Sequence, residues 1–200
     1  MKILSFKRIE KKYLINQSQY EELLKGIRGH MKLDPYCENN KTYKIQNIYY
    51  DTINNTLISN SINKPIYKEK LRVRKYYEAD SYFIELKKKA CGVVGKRRVV
   101  VNKEELDSFF RGDNLDHITD YESRMAIKEI KYLMKRYELM PKVYLSYDRL
   151  GFFDFEDPTL RLTLDNNIHS RRSNLSFKTD ESTIDVIKKD EYILEIKVKN

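Results

Sequence analysis

The stretch KLRVRKYYEADSYFIELKKKACGVVGKRR, residues 70–98, decides how the chain is read. It holds three runs in which charged and apolar residues alternate. Arg72 and Arg74 alternate with Leu71 and Val73, Glu85 and Lys87 alternate with Ile84 and Leu86, and Lys96 and Arg98 close the third run. A strand turns every second side chain to the same side. Three consecutive strands are therefore predicted, each with one apolar face and one strongly charged face. Gly92 and Gly95 are expected to supply the turn before the third strand.

The same alternation recurs on both sides of this stretch. Residues 5–15 read as a first strand, with Arg8, Glu10 and Lys12 on one face and Ile9, Tyr13 and Ile15 on the other. Residues 43–50 form a strand ended by Asp51, and Pro141 restarts the chain as a strand that carries Tyr147 and Arg149. Leu160, Leu162 and Leu164 alternate with Arg161, Thr163 and Asp165, and residues 192–198 place Glu195 and Lys197 on one face. A weak strand is expected near residues 175–177. Between the strands lie helical signals. Ser18 with Glu21 reads as a capping box opening a helix to about Gly29, and Asn102 with Glu105 opens another ending near Arg111. Residues 54–62 form a short helix, and residues 121–138 carry Met125, Ile127, Ile130, Leu133, Met134 and Tyr137 at helical spacing. Residues 34–42 read as a loop. The chain is α+β.

Two hundred residues suit one domain with a real core, and 40% hydrophobic with 34% charged residues argue for a folded chain. The 39 Lys and Arg against 30 Asp and Glu leave a net charge of +9, which favours an anionic partner. Cys37 and Cys91 form no disulfide framework and no metal-ligand spacing, so a reduced, cytoplasmic protein is expected. The N-terminal MKILSFKRIEKKY places charges where a signal peptide needs an apolar run. No segment approaches the roughly 20 apolar residues of a membrane-spanning helix. Nucleic acid is not an expected partner: the charge suits it, but no recognition-helix or base-stacking motif is present.

Two arrangements fit the charged faces. In one, the sheet is open and the charges are solvated. In the other, the strands close into a barrel and the charges point inward. Closure abolishes sheet edges but confines like charges, whose burial is costly unless they are paired. Charge runs are ordinarily solvated, so spacing alone favours the open sheet.

Taken with RIEKKYLI (8–15), YYDT (49–52), KLRVRKY (70–76), YFIELKKK (82–89), KRR (96–98), LSYDRLGF (145–152), LRLTLDNNI (160–168) and LEIKVK (194–199), the chain resembles the VTC domain. That domain is the polyphosphate polymerase branch of the triphosphate tunnel metalloenzymes. The resemblance covers nearly the whole chain, 1–200, as a single tunnel domain. It implies a closed, antiparallel, eight-stranded β-barrel with helices packed outside and basic side chains within. It implies an enzyme that transfers the γ-phosphoryl of ATP to inorganic polyphosphate. By position, Lys12, Arg72, Arg74, Lys87, Arg149 and Arg161 are implied phosphate ligands, with Lys96 or Arg98 as another. Glu195 is the implied ligand of Mn²⁺ or Mg²⁺, and Lys197 is its neighbour on the same face.

Those residue types suit phosphoryl transfer, in which charge on the non-bridging oxygens must be neutralised and the reacting oxygens held in line. Arg engages two oxygens at once and Lys acts as a point charge. A carboxylate among cations is best explained by a metal that also touches phosphate.

Three departures shape the expectation. Hydrolytic relatives begin with Glu-x-Glu-x-Lys, whereas here Arg8, Glu10 and Lys12 occupy the pattern, which moves the reading toward the polymerase branch. The fungal members' inositol-phosphate-sensing domain and membrane spans are not found in these 200 residues. The family's further helix and Ser-Lys-Tyr segment are not found after Asn200, which leaves a triphosphatase or a non-catalytic polyphosphate-binding module as alternatives.

Other residues receive plainer readings. Glu10 and Glu85 are expected to pair with neighbouring cations, Lys88 to face away from the charged surface, and Tyr147 to be a wall residue. His30, His117 and His169 have no ligand spacing. Arg171 and Arg172 read as solvated loop charges.

Overall fold

The computed structural model describes residues 8–37, 41–63, 66–77, 79–91, 93–178 and 182–199. The chain divides into two compact units. One comprises Met1–Ile45, Ser146–Ser170 and Ser182–Asn200, and the other Gln46–Leu145 and Arg171–Glu181.

The first unit contains β1 (Arg8–Asn16), α1 (Gln17–Ile27) and β2 (Met31–Leu33). It also holds most of β7 (Met140–Asp154) and β8 (Arg161–Arg171), together with β9 (Ile184–Asp185) and β10 (Glu191–Lys199). β10 lies between β1 and β8, antiparallel to both, so that Glu195 faces Lys12 on one side and Thr163 on the other. The opposite parity is apolar. Ile15, Leu162, Leu164 and Leu194 are buried there, and Tyr20, Leu23, Leu24 and Ile27 of α1 pack against them. Tyr20 stacks on Tyr192 with centroids 4.1 Å apart.

The second unit contains most of β3 (Tyr43–Asp51), then α2 (Thr56–Ile62), β4 (Tyr67–Tyr76), β5 (Tyr82–Ala90) and β6 (Val93–Val101), followed by α3 (Lys103–Arg111) and α4 (Tyr121–Tyr137). β4, β5 and β6 are the three strands expected from residues 70–98. Their apolar faces supply Leu71, Val73, Ile84, Leu86, Val99 and Val101 to a core covered by Leu106 and Phe109 of α3 and Ala126, Ile130 and Leu133 of α4. The helices therefore cover one parity and leave the charged parity uncovered by them. Burying a side chain of this size contributes about 1.5–3 kcal/mol. That is why the alternation selects one face so firmly: a one-residue slip would drive Arg72 and Glu85 into the helices.

The hydrogen-bonded strand order is β1-β10-β8-β7-β3-β4-β5-β6, with β2 added to β7 and β9 to β8. This corrects the expected closed eight-stranded barrel. Among the described residues the sheet has ten strands, eight of them on this path, and β1 and β6 end the path without pairing to each other. Closure was implied by the family resemblance, whereas the spacing alone favoured an open sheet, since confined like charges are costly unless paired. The sheet meets that need locally, with buried carboxylates set among the cations. The two end strands also carry Lys11 and Lys12, and Lys96, Arg97 and Arg98, and charges of this kind protect an edge from further pairing.

Local corrections have clear causes. α1 is capped by Asn16, not Ser18. Asn16 accepts from the Gln19 backbone and Gln19 caps the Asn16 backbone, both at 3.0 Å, while Glu21 instead accepts from the Gln17 side chain. Asn is as good a cap as Ser, and Asn16 stands directly before the first helical residue, Gln17. Ala90 of β5 pairs with Val93 of β6, and Gly95 lies inside β6 opposite Lys88 rather than in the turn. Cys91, which follows β5, takes φ 48°, in the left-handed region used by turn residues. Residues 175–177 form no strand, and β9 pairs with β8 instead. Asn102 and Glu105 form the expected capping box of α3. Of the earlier expectations, Gly92, residues 5–7 of the first strand, residues 38–40 of the loop and the Arg8 side chain lie outside the described residues.

Candidate phosphate-binding faces

Within the second unit, cross-strand register puts Arg72, Glu85 and Arg98 in one row and Lys70, Lys87 and Lys96 in the next. Lys96 and Arg98 are two residues apart, so both belong to this face. Glu85 is 2% exposed and stands at the centre. Its Oε2 accepts from Arg72 Nε at 2.7 Å and Nη2 at 2.6 Å. Its Oε1 accepts from Arg98 Nε at 2.7 Å and lies 2.8 Å from Lys96 Nζ. Burial pushes the Glu85 carboxyl up, but Arg72 above all, then Arg74 and Lys96, outweigh it and hold it far below the usual carboxylate range. Burial lowers Lys96 from the ordinary lysine value, with the neighbouring guanidinium groups adding to it.

Arg74 is 7% exposed and donates to Asn47 Oδ1 at 3.0 Å, and Asn47 in turn donates to the Leu145 carbonyl. Arg72 also donates to Tyr49 Oη at 3.1 Å. Burial opposes ionisation of Tyr49, but the field of Arg72 outweighs it and lowers the phenol's pKa. Lys87 is exposed. Lys88 points to the other parity and meets Glu129 of α4 at 3.0 Å. Six cations (Lys70, Arg72, Arg74, Lys87, Lys96 and Arg98) thus share a face with the carboxylate Glu85.

In the first unit, Glu195 is 6% exposed, with Lys197 Nζ 2.7 Å from one oxygen and Lys12 Nζ 3.6 Å from the other. Burial raises the Glu195 carboxyl, and Lys197 first, then Lys12 and Arg149, bring it below the ordinary value. Arg149 is held in a two-pronged pair by Asp165 at 2.6 and 2.7 Å and lies over the Tyr147 ring. Arg161 is exposed, stacked over Phe153, and faces Lys197 across the strands. Sequence reasoning did not single out Asp165 or Asn47 as site residues. The register of β8 carries the signal for Asp165, since it shares parity with Arg161. Nothing local in sequence marks Asn47. Arg171 is a correction. It is 6% exposed, not solvated, and donates to the Asn174, Ser176 and Lys178 carbonyls.

The donor set around Glu195 bears on an implied divalent metal. Among the described residues no three His, Cys, Asp or Glu side chains cluster to hold one. Thr163 Oγ1, opposite Glu195, is buried without a hydrogen-bond partner. One buried carboxylate beside an unsatisfied hydroxyl suits a hard cation that arrives with phosphates and keeps several waters, as Mg²⁺ commonly does. It does not suit a cation caged by protein alone.

Antiparallel strands with a strongly cationic face, its cations held by isolated buried carboxylates, make a surface whose charge suits a polyanion. The chain belongs to the VTC domain family, whose profile matches residues 7–200. Among solved structures it is similar to a candidate adenylate cyclase from Bacillus halodurans, at 18% identity and a TM-score of 0.55, covering 96% of this chain and 81% of that one. It is also similar to a candidate adenylyl cyclase from Hippeastrum described as having a dominant triphosphatase activity, at 16% identity and a TM-score of 0.50, covering 96% and 79%. At such identities the likeness is one of fold. No curated protein matches the chain. No helix among the described residues is long and apolar enough to cross a membrane.

Proposed function

We propose that this chain is a polyphosphate polymerase that moves the γ-phosphoryl of ATP onto inorganic polyphosphate, with phosphates lying along the cationic face of β4, β5 and β6. The observation that carries the reading is the Glu85 cluster, in which one carboxylate orients three cations and others stand beside it on the same face. Arg72 and Arg98 each spend an edge of the guanidinium on Glu85, which fixes the plane of each group. Lys70, Lys87 and Lys96 add point charges along the strand direction. Preorganised charge of this kind stabilises a transferring phosphoryl group without reorganisation during the reaction. Arg74, held by Asn47, and Tyr49 complete the face.

Lys12, Arg149, Arg161 and Lys197 are proposed as further phosphate-binding groups, and Glu195 with Thr163 as the protein's ligands to Mn²⁺ or Mg²⁺. Such an ion supplies charge neutralisation on the phosphates when bound. The acceptor phosphate provides the attacking oxygen, so no protein nucleophile is needed.

A second reading, hydrolysis of a triphosphate, is favoured by the activity described for the Hippeastrum protein of similar fold. Incubation with ATP and Mn²⁺ or Mg²⁺ tests both. Growth of an acid-labile chain with release of ADP supports the polymerase, release of phosphate without chain growth supports hydrolysis, and binding without turnover overturns both.

A further inference from the structure

The second unit contains a cavity of about 690 Å³ on the sheet face opposite the Glu85 cluster, a volume within the range of small-molecule sites. Its floor is the apolar parity of β3, β4 and β5, one wall is α3, and the other is the segment 175–178. The surfaces are flat and aromatic. Tyr50 stacks on Phe110 at 4.5 Å, and Tyr82 meets Phe177 at 5.3 Å.

Its charge is one-sided. Lys75, Lys103, Arg111 and Lys178 line the cavity against the carboxylate of Asp107. Asp107 already holds Lys103, and Arg111 lies 3.5 Å from Asp113. Lys75 sits 5.4 Å over the Tyr82 ring, and among the described residues neither it nor Lys178 is ion-paired to a carboxylate.

The loop wall is held in place by buried polar groups. Arg171 lies 3.8 Å over the Tyr144 ring and takes three carbonyls of residues 174–178. Gln46, 1% exposed, donates both to Tyr144 Oη at 2.9 Å and to the Phe177 carbonyl at 3.2 Å. A loop of this kind has no need of such a network for its own exposed tip. The network ties down the Phe177 and Lys178 backbone where Phe177 meets Tyr82 at the cavity wall.

We propose that this cavity binds a small organic anion with a flat apolar body. The rings would take the body, and Lys75 with Lys178 the carboxylate, sulfonate or phosphate head. The probe pair is 1-naphthalenesulfonate and its neutral analogue 1-naphthalenemethanol, titrated into the full chain with backbone amide shifts followed by NMR. The sulfonate is expected to bind at least about tenfold more tightly than the alcohol, a difference of about 1.4 kcal/mol. The shifts should centre on Phe110 and Phe177. In the double variant Lys75→Gln, Lys178→Gln the preference should fall to about threefold or less, with the alcohol unaffected. Equal affinity in the unaltered protein would overturn the proposal. So would a preference that survives both substitutions, or displacement of the sulfonate by tripolyphosphate with shifts at Arg72 and Arg98.

Discussion

Replacing Glu85 by Gln tests whether one carboxylate holds the cationic face together. The side chain is 2% exposed and receives Arg72, Lys96 and Arg98 at hydrogen-bond distance. Removing one partner of a buried ion pair costs about 3–5 kcal/mol, because the other charge is left uncompensated. Here the partners retain side-chain exposures of 24% for Arg72, 35% for Arg98 and 46% for Lys96, so water recovers part of that loss. A loss of about 2–3 kcal/mol is expected after this screening. For a chain of this length that corresponds to a fall in Tm of about 4–12 °C. The amide also turns an N–H toward a guanidinium, which Oε1 and Oε2 never do. Tripolyphosphate separates this account from simple damage. An anion that binds the native face stabilises it by about 2.7 kcal/mol at a hundredfold excess over Kd. Since the variant lacks the resident anion, added tripolyphosphate should raise its Tm more than that of the unaltered protein. Differential scanning fluorimetry with and without tripolyphosphate measures both effects. A Tm unchanged within about 2 °C, or an identical tripolyphosphate shift in the two proteins, would refute the reasoning.

Three further outcomes are expected. Glu85 is depressed in the folded state, so its contribution is complete above the unfolded carboxylate value of about 4.3 and is lost progressively as pH falls toward the lower folded value; urea denaturation from pH 6 to pH 3 should show a steeper acid decline than in Glu85→Gln. Arg171→Ala removes a buried guanidinium from the Asn174, Ser176 and Lys178 carbonyls and should cost about 2–4 kcal/mol, with limited proteolysis newly cutting within residues 171–178. Glu195→Gln should raise the Mn²⁺ or Mg²⁺ concentration for half-maximal activity by about tenfold or more while leaving metal-free tripolyphosphate affinity, measured calorimetrically, equal or tighter.

Much of the site could be read from parity. Because β4, β5 and β6 follow one another through short turns, the side chains that alternate in residues 70–98 had to share a face. The cap at Asn102 and the helical spacing in residues 121–138 were equally local, and α3 and α4 formed where those signals stood. Less legible were partners set by register between distant segments. Arg149 is paired to Asp165, sixteen residues on, and Arg74 is held by Asn47, twenty-seven residues earlier. Arg171 looked like a loop charge, since its burial depends on Tyr144 packing beneath it.

The sequence by itself determined most of the strands, their charged and apolar sides and the helices that cover the apolar side, which follow from short-range periodicity and cap chemistry, while its motifs in order carried the resemblance to the VTC domain family. Tertiary structure alone decided which carboxylate neutralises which cation and that, among the described residues, the sheet path ends at β1 and β6 without a pair between them. The physical reason is that alternation states which side a charge is on, whereas the cost of keeping it there depends on the distance and burial of counter-charges that arrive from other strands.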